Sequence, residues 1–259
     1  MSRFLGPRAV GGVLAYGVGV FAAFELSQPK PPCPSCEARR KTFSTLAPKY
    51  DEEISRDEAT SGILDMRKEL AGRALGRVLE VAGGTGRNLD FYDGSSVTEL
   101  FITDYSDAML QVAASKVALQ RDKQPPSDET ARRPVSTVTL AVCDAGSIPL
   151  PSASFDTVVD TFGLCSFERP EEALREMQRC VKPGGRILLL EHGASDWRLL
   201  AWWQQHRLNR HVIKWGCYWN RDILGLVRES GLDIREVRRR HLGTTYLIDA
   251  RVAVDAKHG

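Results

Sequence analysis

The sequence predicts an α/β fold: a doubly wound, mostly parallel sheet of seven strands, with a transmembrane helix at the N-terminus. Three observations carry this expectation. From Arg77 onward, short apolar runs alternate with helical stretches, the pattern of a parallel sheet covered on both faces. A glycine-rich turn follows the first of those runs, where such sheets bind ligands beyond their strand ends. Near the N-terminus, Ala9 to Phe24 hold no charge, and a proline-rich segment separates them from the rest.

As a helix, the uncharged run would span about 24 Å, short of a hydrocarbon core of about 30 Å. Extended from Leu5 to Leu26, with Arg8 and Glu25 reaching outward near its ends, it is long enough to cross. Residues 5–26 are therefore expected to span a membrane. Gly11, Ala15 and Gly19 form a small-residue stripe that a partner helix can approach closely. Arg3 and Arg8, with no acid before Glu25, suit a mitochondrial targeting or signal-anchor segment. A secretory signal peptide is the alternative, but no small-residue cleavage site follows. The expected organisation is an anchor at 1–28, a proline-rich basic spacer at 29–42 and a folded domain at 43–259. In the spacer, Cys33 and Cys36 make a lone C-x-x-C without the second pair that a zinc site uses. Arg39, Arg40 and Lys41 either touch anionic headgroups or face solvent.

Within the domain, Phe43 to Leu75 gives two helical stretches broken at Gly62. Strands are expected at Arg77–Val81, Leu100–Thr103, Ser136–Val142, Phe155–Asp160, Arg186–Leu190, Ile234–Val237 and Thr245–Val254. Asn88–Tyr92 reads as the start of a helix, and Asp107–Leu119 as another. Pro170–Val181 reads as a third that stops at Pro183-Gly184-Gly185. Composition narrows the function. The 259 residues carry a net charge of +2 and no long basic run, so no nucleic-acid partner is expected. An apolar share of 42% excludes a disordered or collagen-like chain. Six cysteines are too few for a disulfide scaffold of this size.

The turn after the first strand runs Glu80-Val81-Ala82-Gly83-Gly84-Thr85-Gly86. Glycines there allow positive φ and close backbone approach to a ligand. The dinucleotide pattern G-x-G-x-x-G fits Gly84 and Gly86 but meets Leu89 at its third glycine. Asp104 ends the second strand, where an acceptor-only carboxylate suits both hydroxyls of a ribose. A helix-capping role is its alternative. Asp144-Ala145 follows the third strand, placed to accept from an exocyclic amine, and a dinucleotide fold does not predict that acid. A nicotinamide-dependent oxidoreductase is disfavoured on both counts.

VLEVAGGTGRN, TDYSDAML, CDAGSIPLPSASFDTVVDTFGL and LREMQRCVKPGGRILLLEHG, in this order, resemble class I S-adenosylmethionine (SAM)-dependent methyltransferases of the ubiquinone/menaquinone-biosynthesis type. FGLCSF, LLEHG, WGCYWNRD and HLGTTY are similar to a narrower group, membrane-anchored mitochondrial methyltransferase-like proteins linked to respiratory oxidase assembly. The resemblance implies a Rossmann-like class I methyltransferase fold and SAM as cofactor. It implies that Glu80 and the turn Ala82, Gly83, Gly84 and Gly86 hold the amino-acid end of SAM. Asp104 would take the ribose with Tyr105 beside it, Met109 would pack on adenine, and Asp144 and Ala145 would read its amine. Thr161 and Phe162 would flank the sulfur, and Tyr50, in APKYDEE, would close over the cofactor. Ala82 departs from the E/D-x-G-x-G-x-G pattern at its first glycine.

The acceptor side is less specified. His192, after the fifth strand, is the first candidate for a base or substrate contact, and a hydrogen-bonded structural histidine is the alternative. Cys165, His211 and Asn220 are further candidates, although Asn220-Arg221-Asp222 equally suits a helix cap. All five tryptophans fall between Trp197 and Trp219, among Arg198, Arg207, Arg210 and Lys214. This suits a lid at a bilayer surface, with Trp202 and Trp203 touching lipid and an apolar quinone- or lipid-like acceptor. A small aromatic core is the alternative. No H-E-x-x-H spacing is present, and no metal is expected. The expected function is methyl transfer from SAM at a mitochondrial membrane, the inner one, crossed once; a non-catalytic SAM-binding assembly factor is the alternative function, and the endoplasmic reticulum membrane the alternative location.

Overall fold

Among residues 34–121 and 132–252, which a computed structural model of the protein describes, seven strands form one sheet. They are β1 (Gly76–Val81), β2 (Val97–Asp104), β3 (Val138–Val142), β4 (Phe155–Thr161), β5 (Val181–His192), β6 (Asp233–Arg240) and β7 (Thr245–Arg251). Their order is β3-β2-β1-β4-β5-β7-β6. The first five strands pair in parallel, and β7 runs antiparallel to both β5 and β6. The doubly wound, mostly parallel sheet expected from the alternating pattern is therefore present. The anchor at 5–26, its stripe at Gly11, Ala15 and Gly19, and Cys33 lie outside the described residues. Among the described residues no helix is long and apolar enough to cross a membrane.

The central strands carry apolar runs, Val78–Leu79, Val158–Val159 and Ile187–Leu190, because both faces are covered. Their side chains alternate between two cores. Leu79, Val81, Ile187 and Leu189 join Leu174 and Met177 on one face. Val78, Leu188 and Leu190 join Leu70, Leu100 and Leu110 on the other. The helices supplying these contacts include α3 (Ile63–Ala71), α4 (Asp107–Arg121) and α5 (Pro170–Cys180). Before α3 come α1 (Cys36–Leu46) and α2 (Tyr50–Ser61); after α5 come α6 (Arg198–Trp215) and α7 (Ile223–Glu229). Gly62, at φ +81, divides α2 from α3 as expected.

Three expectations need correction. The spacer expected at 29–42 is helical from Cys36, because Ser35 caps α1 by accepting from the Ala38 amide at 3.2 Å. Arg39 on this helix is buried and donates to the Ser166 carbonyl at 2.6 Å, so it is not a lipid-facing charge. The helix expected from Asn88 is a single 3-10 turn, Leu89–Phe91. Asn88 and Tyr92 turn their side chains inward to Glu80, and Asp93 ends the turn by accepting from the Ser95 amide. The helix expected at Pro170–Val181 is present as Pro170–Cys180, but the strand expected from Arg186 already begins at Val181 and holds Pro183-Gly184-Gly185. The two glycines sit in that strand instead, where pairing with β4 slips between Phe155 and Thr157 and Gly184 takes φ +74. A bulge and a helix stop call for the same residues.

Candidate functional site

The carboxyl ends of β1, β2, β3 and β4 open into a cleft of about 190 Å³. Tyr50, Ala82, Gly84, Asp104, Tyr105, Met109, Asp144, Ala145, Thr161 and Phe162 all line it. The turn after β1 gets its shape from glycine. A Cβ on Gly83 would lie 2.3 Å from the Ile102 side chain. Gly84, at φ +56, would point a Cβ into space with no protein atom within 4 Å, so the backbone itself is bared to the cleft. Gly86, at φ +71, lets the turn rest on Ala113 of α4. Gly83 and Gly86 thus shape the turn without lining the cleft.

Ala82 adopts φ +51, where only glycine is free of strain. Ala82→Gly is expected to stabilise the fold by about 1 kcal/mol, raising Tm by roughly 2–4 °C in a chain of this size. Thermal unfolding of the full chain checks this; an unchanged or lower Tm would mean the strain is relaxed elsewhere.

Asp104 ties the turn to β2. Its carboxylate accepts from the Gly84 amide at 2.9 Å and from the Ser106 amide at 2.8 Å. Two of its roughly four acceptor sites are thereby used, and the rest remain for a ribose. Burial raises its pKa. Farther along, Tyr105 is covered by α1: the Arg40 guanidinium lies 3.6 Å from the ring centre and donates to its hydroxyl at 2.6 Å. Arg40 also stands 3.8 Å from Asp144. Sequence reasoning missed the α1 wall, Arg39, Arg40 and Phe43. Ser35 as a helix cap was the available cue.

Glu80 lies beneath the turn and not in the cleft. Asn88 and the Tyr92 hydroxyl both donate to it at 2.9 Å, and burial pushes it up to about 7. Beside it, buried Arg67 donates to Glu58 at 2.9 and 3.0 Å, to Asn88 at 3.1 Å and to the Thr161 hydroxyl at 2.8 Å. Arg87 bridges Glu58 and Asp51, and Asp51 also accepts from Thr85 at 2.7 Å. These contacts fasten α2 to the glycine turn and bring Tyr50 to the cleft, where burial pushes its phenol up to about 12.

Under the β4 end, Asp160 accepts from the Gly163 amide, while Glu191 accepts from the Leu164 and Cys165 amides. Burial pushes Asp160 up to about 7 and Glu191 well above the carboxylate range. A carboxyl with a raised native pKa binds more protons folded than unfolded, so its contribution to stability is lost as pH rises from about 4 through about 7. Asp160→Asn is expected to flatten the decline in urea midpoint between pH 5 and pH 8; an unchanged slope would assign the decline elsewhere.

The acceptor-side candidates sit apart from the cleft. His192 lies behind Phe162, with ring centres 4.3 Å apart, and its Nδ1 is 3.7 Å from the Cys217 sulfur. Cys165 is buried beside Cys217. His211 stacks on Trp219 at 4.0 Å, and burial pushes it down to about 4. Asn220 donates to Gln205, while Asp222 caps α7 by accepting from the Gly225 amide, the capping alternative for this tripeptide. The tryptophans divide. Trp215 and Trp219 pack on the core, whereas Trp202 and Trp203 are 52% and 41% exposed on α6.

A glycine turn at β1, an acid closing β2, a second acid after β3 and a reversed β7 together define a SAM-dependent methyltransferase of class I. Residues 79–189 match the family model described as a methyltransferase domain. The chain is 35% identical over 221 residues to the mitochondrial methyltransferase OMS1 of Saccharomyces cerevisiae, covering 83% of this chain and 46% of that protein. It is 32% identical over 230 residues to the ubiquinone/menaquinone biosynthesis C-methyltransferase UbiE of Bordetella parapertussis, covering 77% and 82%. An O-methyltransferase family protein from Burkholderia thailandensis shares the fold, with a TM-score of 0.62 at 18% identity over 94% of this chain and 70% of that one. This chain belongs to the SAM-dependent methyltransferase family that includes UbiE. It spans less than half the length of the yeast relative.

The family's cofactor fits this cleft: bared backbone at Gly84, spare acceptor sites on Asp104, an apolar floor at Met109 and a further acid at Asp144. When bound, SAM supplies an electrophilic methyl group on a sulfonium. Thr161, Phe162 and Tyr50 line the opposite side, where they can orient an acceptor and keep water out.

Proposed function

We propose that the protein is a membrane-anchored methyltransferase of a mitochondrial membrane that passes a methyl group from SAM to an apolar, quinone- or lipid-like acceptor. The exposed apolar face of α6 carries this reading. Leu199, Trp202, Trp203 and Ile213 are exposed there, with exposed Trp197 at the N-cap, and the helix also bears Arg198, Arg207, Arg210 and Lys214. Aromatic rings with basic neighbours suit headgroup depth. The helix is linked to the cleft at its end, where a Cβ on the capping Gly216 would lie 2.6 Å from the ring of Phe43, a cleft residue. The names of the two relatives support the location and the acceptor class: one is mitochondrial, and the other serves quinone biosynthesis.

A second reading, a SAM-binding assembly factor without turnover, is favoured by the position of His192 behind Phe162. The two are separated by the full chain reconstituted in vesicles carrying quinols, with methyl-labelled SAM. Label is expected in the extracted quinol. Trp202→Ala with Trp203→Ala is expected to slow labelling roughly tenfold, equivalent to about 1.4 kcal/mol, with SAM affinity unchanged. SAM binding with no labelled quinol or lipid would select the second reading.

A further inference from the structure

Three metal-ligand side chains converge behind Phe162. Cys165 lies in the turn after β4, His192 ends β5, and Cys217 follows α6. One ligand atom from each lies within 4.8 Å of the other two. The two sulfurs are 3.1 Å apart, and His192 Nδ1 is 3.7 Å from the Cys217 sulfur. Both cysteines are buried and free. Their backbone is fixed: the Cys165 amide donates to Glu191 at 3.0 Å, and the Tyr218 amide donates to the Cys165 carbonyl at 2.8 Å.

We propose that Cys165, His192 and Cys217 bind one thiophilic cation, Zn(II) or Cu(I). Two thiolates and a neutral imidazole match borderline and soft ions and reject hard ones such as Mg(II) or Ca(II). Metal–sulfur bonds of about 2.3 Å and metal–nitrogen bonds of about 2.0 Å require sulfurs about 3.8 Å apart and sulfur–nitrogen gaps of about 3.5 Å in a tetrahedron. The side chains reach those separations by moving less than about 1 Å. Binding transfers the two thiol protons to solvent and leaves two thiolates facing the cation, which removes the cost of burying either charge alone. Beside the cluster, the Arg221 guanidinium donates to the Leu164 carbonyl at 2.6 Å and the Phe167 carbonyl at 2.8 Å, which holds the turn carrying Cys165. The cation staples the turn carrying Phe162, a wall of the cleft, to β5 and to the end of α6. It supplies rigidity there and takes no part in methyl transfer.

The test is metal content of the reduced full chain after exposure to Zn(II) alone or Cu(I) alone and removal of excess by gel filtration. One equivalent of Zn(II), Cu(I) or either is expected, and the arm that loads identifies the ion. Cys165→Ser, Cys217→Ser and His192→Gln are each expected to lose it, whereas Cys33→Ser with Cys36→Ser keeps it. A second measurement needs no variant: Co(II) added to the wild-type chain is expected to give a sulfur-to-cobalt charge-transfer band that Zn(II) bleaches. Failure of both ions to load with no cobalt band, equal loading in all variants, or a Cys165–Cys217 disulfide in protein isolated without reductant would overturn the proposal.

Discussion

Gly84→Arg is expected to abolish SAM binding. Calorimetric titration of the cofactor into the full-length variant should give only heats of dilution, a loss of at least about 100-fold, or about 2.7 kcal/mol. Two features compound. The space in front of Gly84 holds no protein atom, so an arginine side chain enters the volume that the cofactor requires. The residue also sits at φ +56, where an L side chain is strained, and its amide must keep its bond to Asp104. Gly84→Ala separates the two. Its methyl group meets nothing in the protein, so its cost to folding is the φ strain alone, about 1 kcal/mol. Any additional loss of affinity reports contact with the cofactor. Retention of wild-type affinity by the arginine variant would place SAM elsewhere.

Arg67→Met is expected to destabilise the fold by about 3–5 kcal/mol, because it leaves buried polar partners without their cation. Glu58 loses two hydrogen bonds, and Asn88 and Thr161 lose one each. Glu58 keeps Arg87, which places the cost at the lower end of that range. Urea denaturation measures it. Glu58→Gln combined with Arg67→Met should cost less than the sum of the single changes, since the residues share one network. A loss below about 1 kcal/mol would mean that water replaces the guanidinium. Because Arg67 holds Thr161 and lies 4.9 Å beneath the Phe162 ring, the variant should also weaken SAM binding.

Most of the sheet was legible because its central strands are buried on both faces and read as unbroken apolar runs, as in Ile187–Leu190. The cleft was legible where local chemistry dictates it: glycines that must be bare, and acids at strand ends. Errors arose where one residue type serves two structures. Pro183-Gly184-Gly185 suits a helix stop and a bulge equally well, and Asn88 is a plausible helix starter until Glu80 draws it inward. The α1 wall was hidden because a proline-rich, basic run suggests a solvated linker, and nothing local announces that Arg40 covers Tyr105. The meeting of Cys165, His192 and Cys217 has no spacing to read. It exists only once three distant segments share one corner of the sheet.

Among the described residues β6 is an edge strand, and it carries Arg235, Arg238, Arg239 and Arg240, of which Arg235 pairs with Asp233, Arg238 with Glu69 and Glu236, and Arg239 with Asp196. An open edge invites pairing with another chain, and charged side chains along it oppose that pairing. A second chain adding to this edge would have to break or desolvate those ion pairs. The charged border is a built-in deterrent to edge-to-edge aggregation. Neutralising it should be felt first in shelf life and yield, before any change in the chemistry of the cleft.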